Sequence, residues 1–277
     1  MYDLHTHSLA SDGILRPEAL VSSAKSAGVS CLALTDHDTV AGLVEAAEAA
    51  RVHGIRLIAG TELSCQWHKR AIHVVGLNID PEHAELVRFL AAQQQVRQTR
   101  AVEIDQRLQK LGIDGALEGA KAIADGAVLG RPHFAQHLVD VGRVPTVAAA
   151  FKRYLGTGKP ADVTPAWPTL EKAATVIKAA GGVAVLAHPL KYKLTRTKLN
   201  TLLADFRHAG GQAVEVISGK QDPTQTRDMT KLANQHDLVS SIGSDFHRPG
   251  QPWHALGVAG DIPSAAKPVW DLFAANA

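Results

Sequence analysis

The chain has 277 residues, 45% hydrophobic and 20% charged, with a formal net charge of +2. That profile is of a soluble globular protein long enough for one α/β barrel of ordinary size. It excludes a disordered chain, and the net charge falls far short of that of a broadly basic nucleic-acid-binding protein. No apolar run approaches the roughly eighteen residues of a membrane span. The only cysteines are Cys31 and Cys65, which argues against a disulfide scaffold. The first residues already read as a strand carrying polar side chains rather than as a signal peptide, so the expected compartment is the cytoplasm.

Taken in chain order, Asp3-Leu4-His5-Thr6-His7-Ser8 reads as a strand within 1–7. Side chains two apart share a face, so His5 and His7 project together. Asp12 precedes Gly13 and reads, alone, as a turn residue. The apolar run of 31–36 ends in Asp36-His37-Asp38, as a buried parallel strand does on emerging at a barrel mouth. His37 is the ligand candidate there; Asp36 and Asp38 read as capping or turn residues, with Asp38 as a structural or supporting residue. Glu62 closes a further run over 56–62, and its two oxygens suit it to bridge two ions. His73 starts the run 71–78 instead of ending it, which fits a strand entering from the ligand-bearing side.

Later runs repeat the pattern. The segment 183–188 ends in His188, and 239–244 leads into Asp245 and His247, two apart like His5 and His7. A further strand is expected over 212–218. Helical stretches are expected over 17–27, 40–53, 169–180, 197–209 and 224–236, with Gly28, Gly54, Gly181 and Gly210 adjoining their ends. Strand–helix repeats of this kind predict a parallel sheet, and polar residues at every strand exit favour closure into a barrel. Six histidines and three carboxylates thereby converge on one rim, where mixed nitrogen and oxygen donors can hold divalent metals.

The rhythm breaks between the fourth and fifth strands. Residues 97–165 are expected to form a small inserted helical cap, with the barrel in 1–96 and 166–277. The insert has ten Lys/Arg against seven Asp/Glu. Within it, Gly130-Arg131-Pro132-His133-Phe134 reads as a helix start, or as a clamp in which the Arg131 guanidinium grips phosphate. His133 could contact phosphate or act as an acid. The basic stretch 191–196 follows His188 and could help to hold phosphate, but most of it reads as a charged surface loop. Phe134, Trp67 and Trp253 are candidates for stacking a base, with ordinary packing as the simpler reading.

The blocks DLHTHS, TDHDT, AHP and SDFH, with Glu62 and His73 between them, resemble the motifs of the PHP (polymerase and histidinol phosphatase) phosphoesterases over residues 1 to about 250. The strings GTELS, HVVGL and GRPHFA narrow the resemblance to the TrpH-like branch, which includes nucleoside 3′,5′-bisphosphate phosphatases and exonucleases acting on short RNA. It implies a distorted (β/α)7 TIM-like barrel and three divalent metal ions, Mn²⁺ foremost, with Zn²⁺ or Fe²⁺ also compatible. One ion would take His5, His7, Glu62 and Asp245. A second would take Asp12, His37 and His247. A third would take Glu62, His73 and His188.

Three divalent ions carry six positive charges; Asp12, Glu62 and Asp245 remove three and a bridging hydroxide one more. The remainder matches a phosphomonoester dianion, with the hydroxide as nucleophile. The expected activity is hydrolysis of the 3′-phosphate of nucleoside 3′,5′-bisphosphates, with trimming of short 5′-phosphorylated RNA by the same site. No obligatory protein partner is implied. The alternatives at this stage are a histidinol-phosphate phosphatase, a noncatalytic metal-binding protein, or a C–N hydrolase of the amidohydrolase type. Against the last, no lysine stands at a mid-barrel strand end to bridge two metals.

Overall fold

The computed structural model describes residues 1–276, with side chains through Phe273. Seven strands lie in sequential order: β1 (Tyr2–Asp3), β2 (Cys31–Leu34), β3 (Arg56–Trp67), β4 (Arg70–Leu77), β5 (Val183–Leu186), β6 (Ala213–Ser218) and β7 (Val239–Gly243). Parallel pairing joins β1 to β2, β2 to β3, β5 to β6 and β6 to β7. The ends meet where Leu4 N donates to Ile242 O at 3.1 Å and His7 N to Phe246 O at 2.9 Å. The result is a nearly closed barrel.

β4 corrects the expectation of a wholly parallel sheet. It runs antiparallel to both β3 and β5, because a two-residue turn at His68 and Lys69 leaves no chain for a crossover. β3 also continues past its expected end at 62 to Trp67, so Glu62 lies inside a strand. The β3–β4 hairpin therefore projects beyond the rim.

Strand alternation sorts the core into an inside and an outside. Cys31, Ala33, Ile58, Val75, Val185 and Ala213 belong to one cluster, which Val269 and Phe273 of a C-terminal 3-10 helix (Val269–Asn276) also enter. Tyr2 stacks on Trp270 with ring centroids 4.0 Å apart, closing that end. The alternate residues, such as Ile72, Val74, Leu186 and Val214, pack outward against helices. The helices around the strands are α1 (Pro17–Ser26), α2 (Leu43–His53), the first half of α3 (Ala84–Gln109), α7 (Leu170–Ala179), α8 (Arg196–His208) and α9 (Pro223–Gln235), while α4 (Ala116–Ala124), α5 (Arg131–Asp140) and α6 (Val147–Ala150) pack apart from them.

α3 is one unbroken helix with two kinds of neighbour. Leu86, Phe89 and Leu90 pack with the barrel's outer cluster, whereas Ala101, Ile104 and Leu108 pack with α4 and α5 in a separate cluster spanning residues 101–163. The expected boundary at 97 falls inside this helix. There, Arg97 forms a buried pair with Asp38 at 2.6 Å, tying α3 to the loop after β2. Among the described residues no helix is long and apolar enough to cross a membrane.

Candidate metal centre

Glu62 is the hub of the rim. It is fully buried, with Oε1 3.0 Å from both His73 Nδ1 and His188 Nε2. Its Oε2 lies 2.9 Å from His37 Nδ1, 3.3 Å from His5 Nε2 and 3.4 Å from His7 Nε2. Asp245 Oδ1 sits 3.5 Å from His5 Nε2 and 3.3 Å from His7 Nε2. Asp12 Oδ1 is 3.3 Å from His247 Nε2, and its Oδ2 is 3.8 Å from His37. All nine candidates thus occupy one cluster, including Asp12, which its own sequence context had left as a turn residue.

Three groups bring their donor atoms within 4.8 Å of one another: His7, Asp12, His37 and His247; His5, His7 and Asp245; and His37, Glu62 and His73. They overlap through His7 and His37, so neighbouring ions could share one continuous donor surface.

Local backbone geometry aims these side chains. His188 and Asp245 lie just past the ends of β5 and β7 in the left-handed region, at φ 31° and 54°, a conformation that costs an ordinary residue roughly 1–2 kcal/mol. Two glycines provide the clearance. A Cβ on Gly243 would stand 2.3 Å from His5 Cβ, and one on Gly13 would stand 2.4 Å from His7 O.

The donor set fits metal ions. His5 Nε2, both nitrogens of His7, His37 Nδ1, Asp12 Oδ1 and Glu62 Oε2 are buried without a hydrogen-bond partner. Buried polar atoms are rarely left so. Ligands bonded at about 2.1 Å to a common ion stand roughly 3.0–3.4 Å apart, the range spanned by most of these contacts. His5 is also oriented as a ligand should be: Glu215 Oε1 lies 2.5 Å from its Nδ1, which leaves Nε2 facing Glu62.

Electrostatics follow the same layout. Burial would raise the Glu62 carboxyl, but His37, His5 and His73 hold it well below its usual range. Burial, with His247 and His37 nearby, pushes His7 down to about 3. His247 goes the other way: burial opposes its charge, yet Asp12 and Asp245 lift it to about 9.

Sequence reading missed several supporting groups. Glu215 accepts the His188 amide at 2.6 Å through its second oxygen. Its signal was a lone carboxylate inside the apolar strand Ala213–Ser218. Asp36 is no helix cap; it accepts from Ser8 N, Ser8 Oγ and Ser11 Oγ at 2.6–2.8 Å. The Tyr192 hydroxyl accepts the His73 amide at 2.9 Å. Lys191 contacts Asp245 Oδ2 and so belongs to the site's edge, not to a loop of solvated charges.

A cleft of about 800 Å³ opens onto Asp12, His37 and His73 and reaches Arg97, Arg100 and Arg131. Arg131 begins α5, donates to Leu155 O at 3.3 Å and lies 5.7 Å over the Phe151 ring. Burial, Arg131 and Arg97 together press Arg100 down to about 9, so it remains cationic at neutral pH. His133 is buried beside them, and its Nδ1 accepts the Gly130 amide at 3.0 Å. Phe134 is buried in the 101–163 cluster and Trp67 donates its indole N–H to Asp205 at 2.7 Å, so both are packing residues. Trp253 is exposed and is not among the residues lining the cleft.

The PHP domain profile matches residues 3–178. The chain belongs to the PHP family. A Haemophilus influenzae 5′-3′ exoribonuclease is 46% identical over 98% of this chain and 98% of its own length. A Chromobacterium violaceum 3′,5′-nucleoside bisphosphate phosphatase is 41% identical over 97% and 94%. A solved structure from Chromobacterium violaceum, described as an amidohydrolase with bound sulfate and no metal, superposes with a TM-score of 0.92 at 40% identity, covering 99% of this chain and 96% of its own. For this PHP protein, hydrolysis of phosphoester bonds is therefore the shared chemistry.

Proposed function

We propose that this PHP protein removes the 3′-phosphate of nucleoside 3′,5′-bisphosphates, and that the same site trims short 5′-phosphorylated RNA from its 5′ end. The observation that carries the reading is the pairing of two anion sites in one cleft: the nine-residue donor cluster on the rim, and the Arg97, Arg100 and Arg131 group across from it. One suits each phosphate of a bisphosphate.

Three divalent ions, Mn²⁺ foremost, are assigned to His5, His7, Asp12, His37, Glu62, His73, His188, Asp245 and His247. Such ions polarise phosphoryl oxygens and activate water for attack. The protein's part is positional. Glu62 and Glu215 fix the imidazoles, and the buried floor of His5, His7 and Glu62 excludes solvent. His73 and His247 keep 30% and 26% of their side chains exposed, which supports an approach of the substrate from their side.

We assign residues 97–165 as a cap whose arginines hold the 5′-phosphate. Arg100 and Arg131 have Asp162 as their nearby carboxylate and also feel the charge of Arg97, and a dianion relieves that repulsion through fork-shaped hydrogen bonds. Arg97 is already paired with Asp38, so Arg100 and Arg131, held by single bonds to backbone carbonyls, form the clamp. His133, whose Nδ1 accepts the Gly130 amide at the helix start, is assigned beside them as a further contact to substrate phosphate.

The cationic cleft disfavours histidinol phosphate, whose amine would meet arginine. An uncharged amide likewise offers those cations no negative charge to match. Measuring phosphate release from adenosine 3′,5′-bisphosphate and from histidinol phosphate with Mn²⁺ present tests the assignment; preference for histidinol phosphate would refute it.

A further inference from the structure

We propose that a basic track on the β3–β4 hairpin and the loop before α8 carries the body of a single-stranded RNA, downstream of the bond being cut. This inference rests on the functional reading above and deepens it. Cleavage of a bisphosphate and of an RNA end follow one scheme. The oxygen of water bonds to phosphorus, the P–O3′ bond breaks, and a proton from that water ends on O3′. In the nucleotide, the phosphoryl group carries only terminal oxygens. In RNA, one of them continues into the next nucleoside. With the first nucleotide held between the metal cluster and the Arg100–Arg131 clamp, that continuation needs another exit from the cleft.

The structure offers one. On the side away from the cap, the cleft is lined by Lys69, Arg70, Lys191 and Lys193. Arg70 is three residues from His73 on β4, about 10 Å along the strand. Through Lys69 and Arg70 the cleft runs on into a groove of about 390 Å³, which adds Trp67, His68, Leu194 and Lys198. Lys69, Arg70, Lys191, Lys193, Arg196 and Lys198 are all exposed. Among the described residues only Lys191 of these six has a carboxylate partner, Asp245. Cations spaced along a groove without counter-charge are what a phosphate backbone neutralises. The exposed His68 ring lies 4.6 Å from the Trp67 ring and gives the groove an aromatic side on which a base can rest.

A solvated lysine cluster serving only solubility would make no distinction between substrates by length. The track does. The test compares the full-length wild-type protein with the double variant Arg196→Glu/Lys198→Glu, whose residues lie outside the cleft's lining, each loaded with Mn²⁺. The substrates are adenosine 3′,5′-bisphosphate and 5′-phosphorylated RNAs of two to six nucleotides. In the wild type, kcat/KM should climb with length. The variant should hold its bisphosphate rate within about twofold, lose roughly fivefold on the hexamer, and show a salt slope shallower by about 1.4, at about 0.7 per lost single-strand contact. Equal losses on nucleotide and hexamer, or no loss on the hexamer, would overturn the track while leaving the phosphatase reading intact. Wild-type inactivity on every one of these substrates would remove the functional reading and the track with it.

Discussion

Glu215 grips two parts of the site at once: one oxygen lies 2.5 Å from His5 Nδ1 and the other accepts the His188 amide at 2.6 Å. A glutamine has only one acceptor oxygen, so it can keep one of these bonds and not both. Glu215→Gln should therefore fold normally yet bind metal about 10–100-fold more weakly. Metal titration followed by calorimetry checks this, and unchanged affinity would show that His5 needs no such brace.

Removing a donor should act more severely than removing its support. Asp245→Asn and His188→Asn are each expected to cut turnover by more than about a hundredfold, the scale of a lost metal contact or its supporting shell. Elemental analysis of each purified variant should show fewer ions per chain than the parent. Full metal content with full activity in either variant would remove that residue from the centre.

The clamp makes a different prediction. Arg131→Ala should raise KM for adenosine 3′,5′-bisphosphate by about 2 kcal/mol, some thirtyfold, as for a charge-assisted bond lost. An aryl phosphate has no second phosphate and should be nearly indifferent. Comparable losses on both would place Arg131 outside the phosphate site.

The metal-free protein should take up ions with proton release, and more tightly as pH rises. Ligating imidazoles must be neutral. Burial opposes a charge on His247, but Asp12 lifts it to about 9, so the proton is present at neutral pH and must leave. The same raised value means that the His247–Asp12 pair stabilises the metal-free fold at neutral pH and that this contribution fades as pH climbs through about 9. Calorimetry in buffers of differing ionisation enthalpy measures the released protons; affinity flat between pH 6 and 9 would contradict it.

Asp38 tests the joint between α3 and the rim. Its carboxylate accepts from Arg97 Nε at 2.7 Å, Ser64 N at 2.8 Å and Gln93 at 2.9 Å, all buried. Asp38→Ala should cost about 3–5 kcal/mol by stranding the Arg97 charge, read by chemical denaturation. A loss under about 1 kcal/mol would mean that the arginine reaches water.

Most of the donor residues were legible because they sit near strand ends, several beside others of their kind: His5 with His7, Asp245 with His247, His188 after a glycine-led run. That signal is local, and local signals survive in a sequence. Direction does not, since hydrophobic alternation is the same for a strand run either way. β4 therefore read as parallel in the general scheme, although His73 at its start hinted otherwise. Glu215 was hidden for the opposite reason. One carboxylate inside β6 looks like the solvated face of a strand until the barrel closes and turns that face inward. Arg100 and Lys191 are placed by helix packing and loop path, which no short motif records.

The most direct test of the central claim follows adenosine 3′,5′-bisphosphate through one cycle of chelation and Mn²⁺ restoration, with both products quantified. Inorganic phosphate and adenosine 5′-monophosphate should form in equal amounts, cease to form after chelation, and return with the metal. Activity that survives removal of all bound ions, or release of adenosine 3′-monophosphate instead, would contradict a metal centre that cuts at the 3′ position.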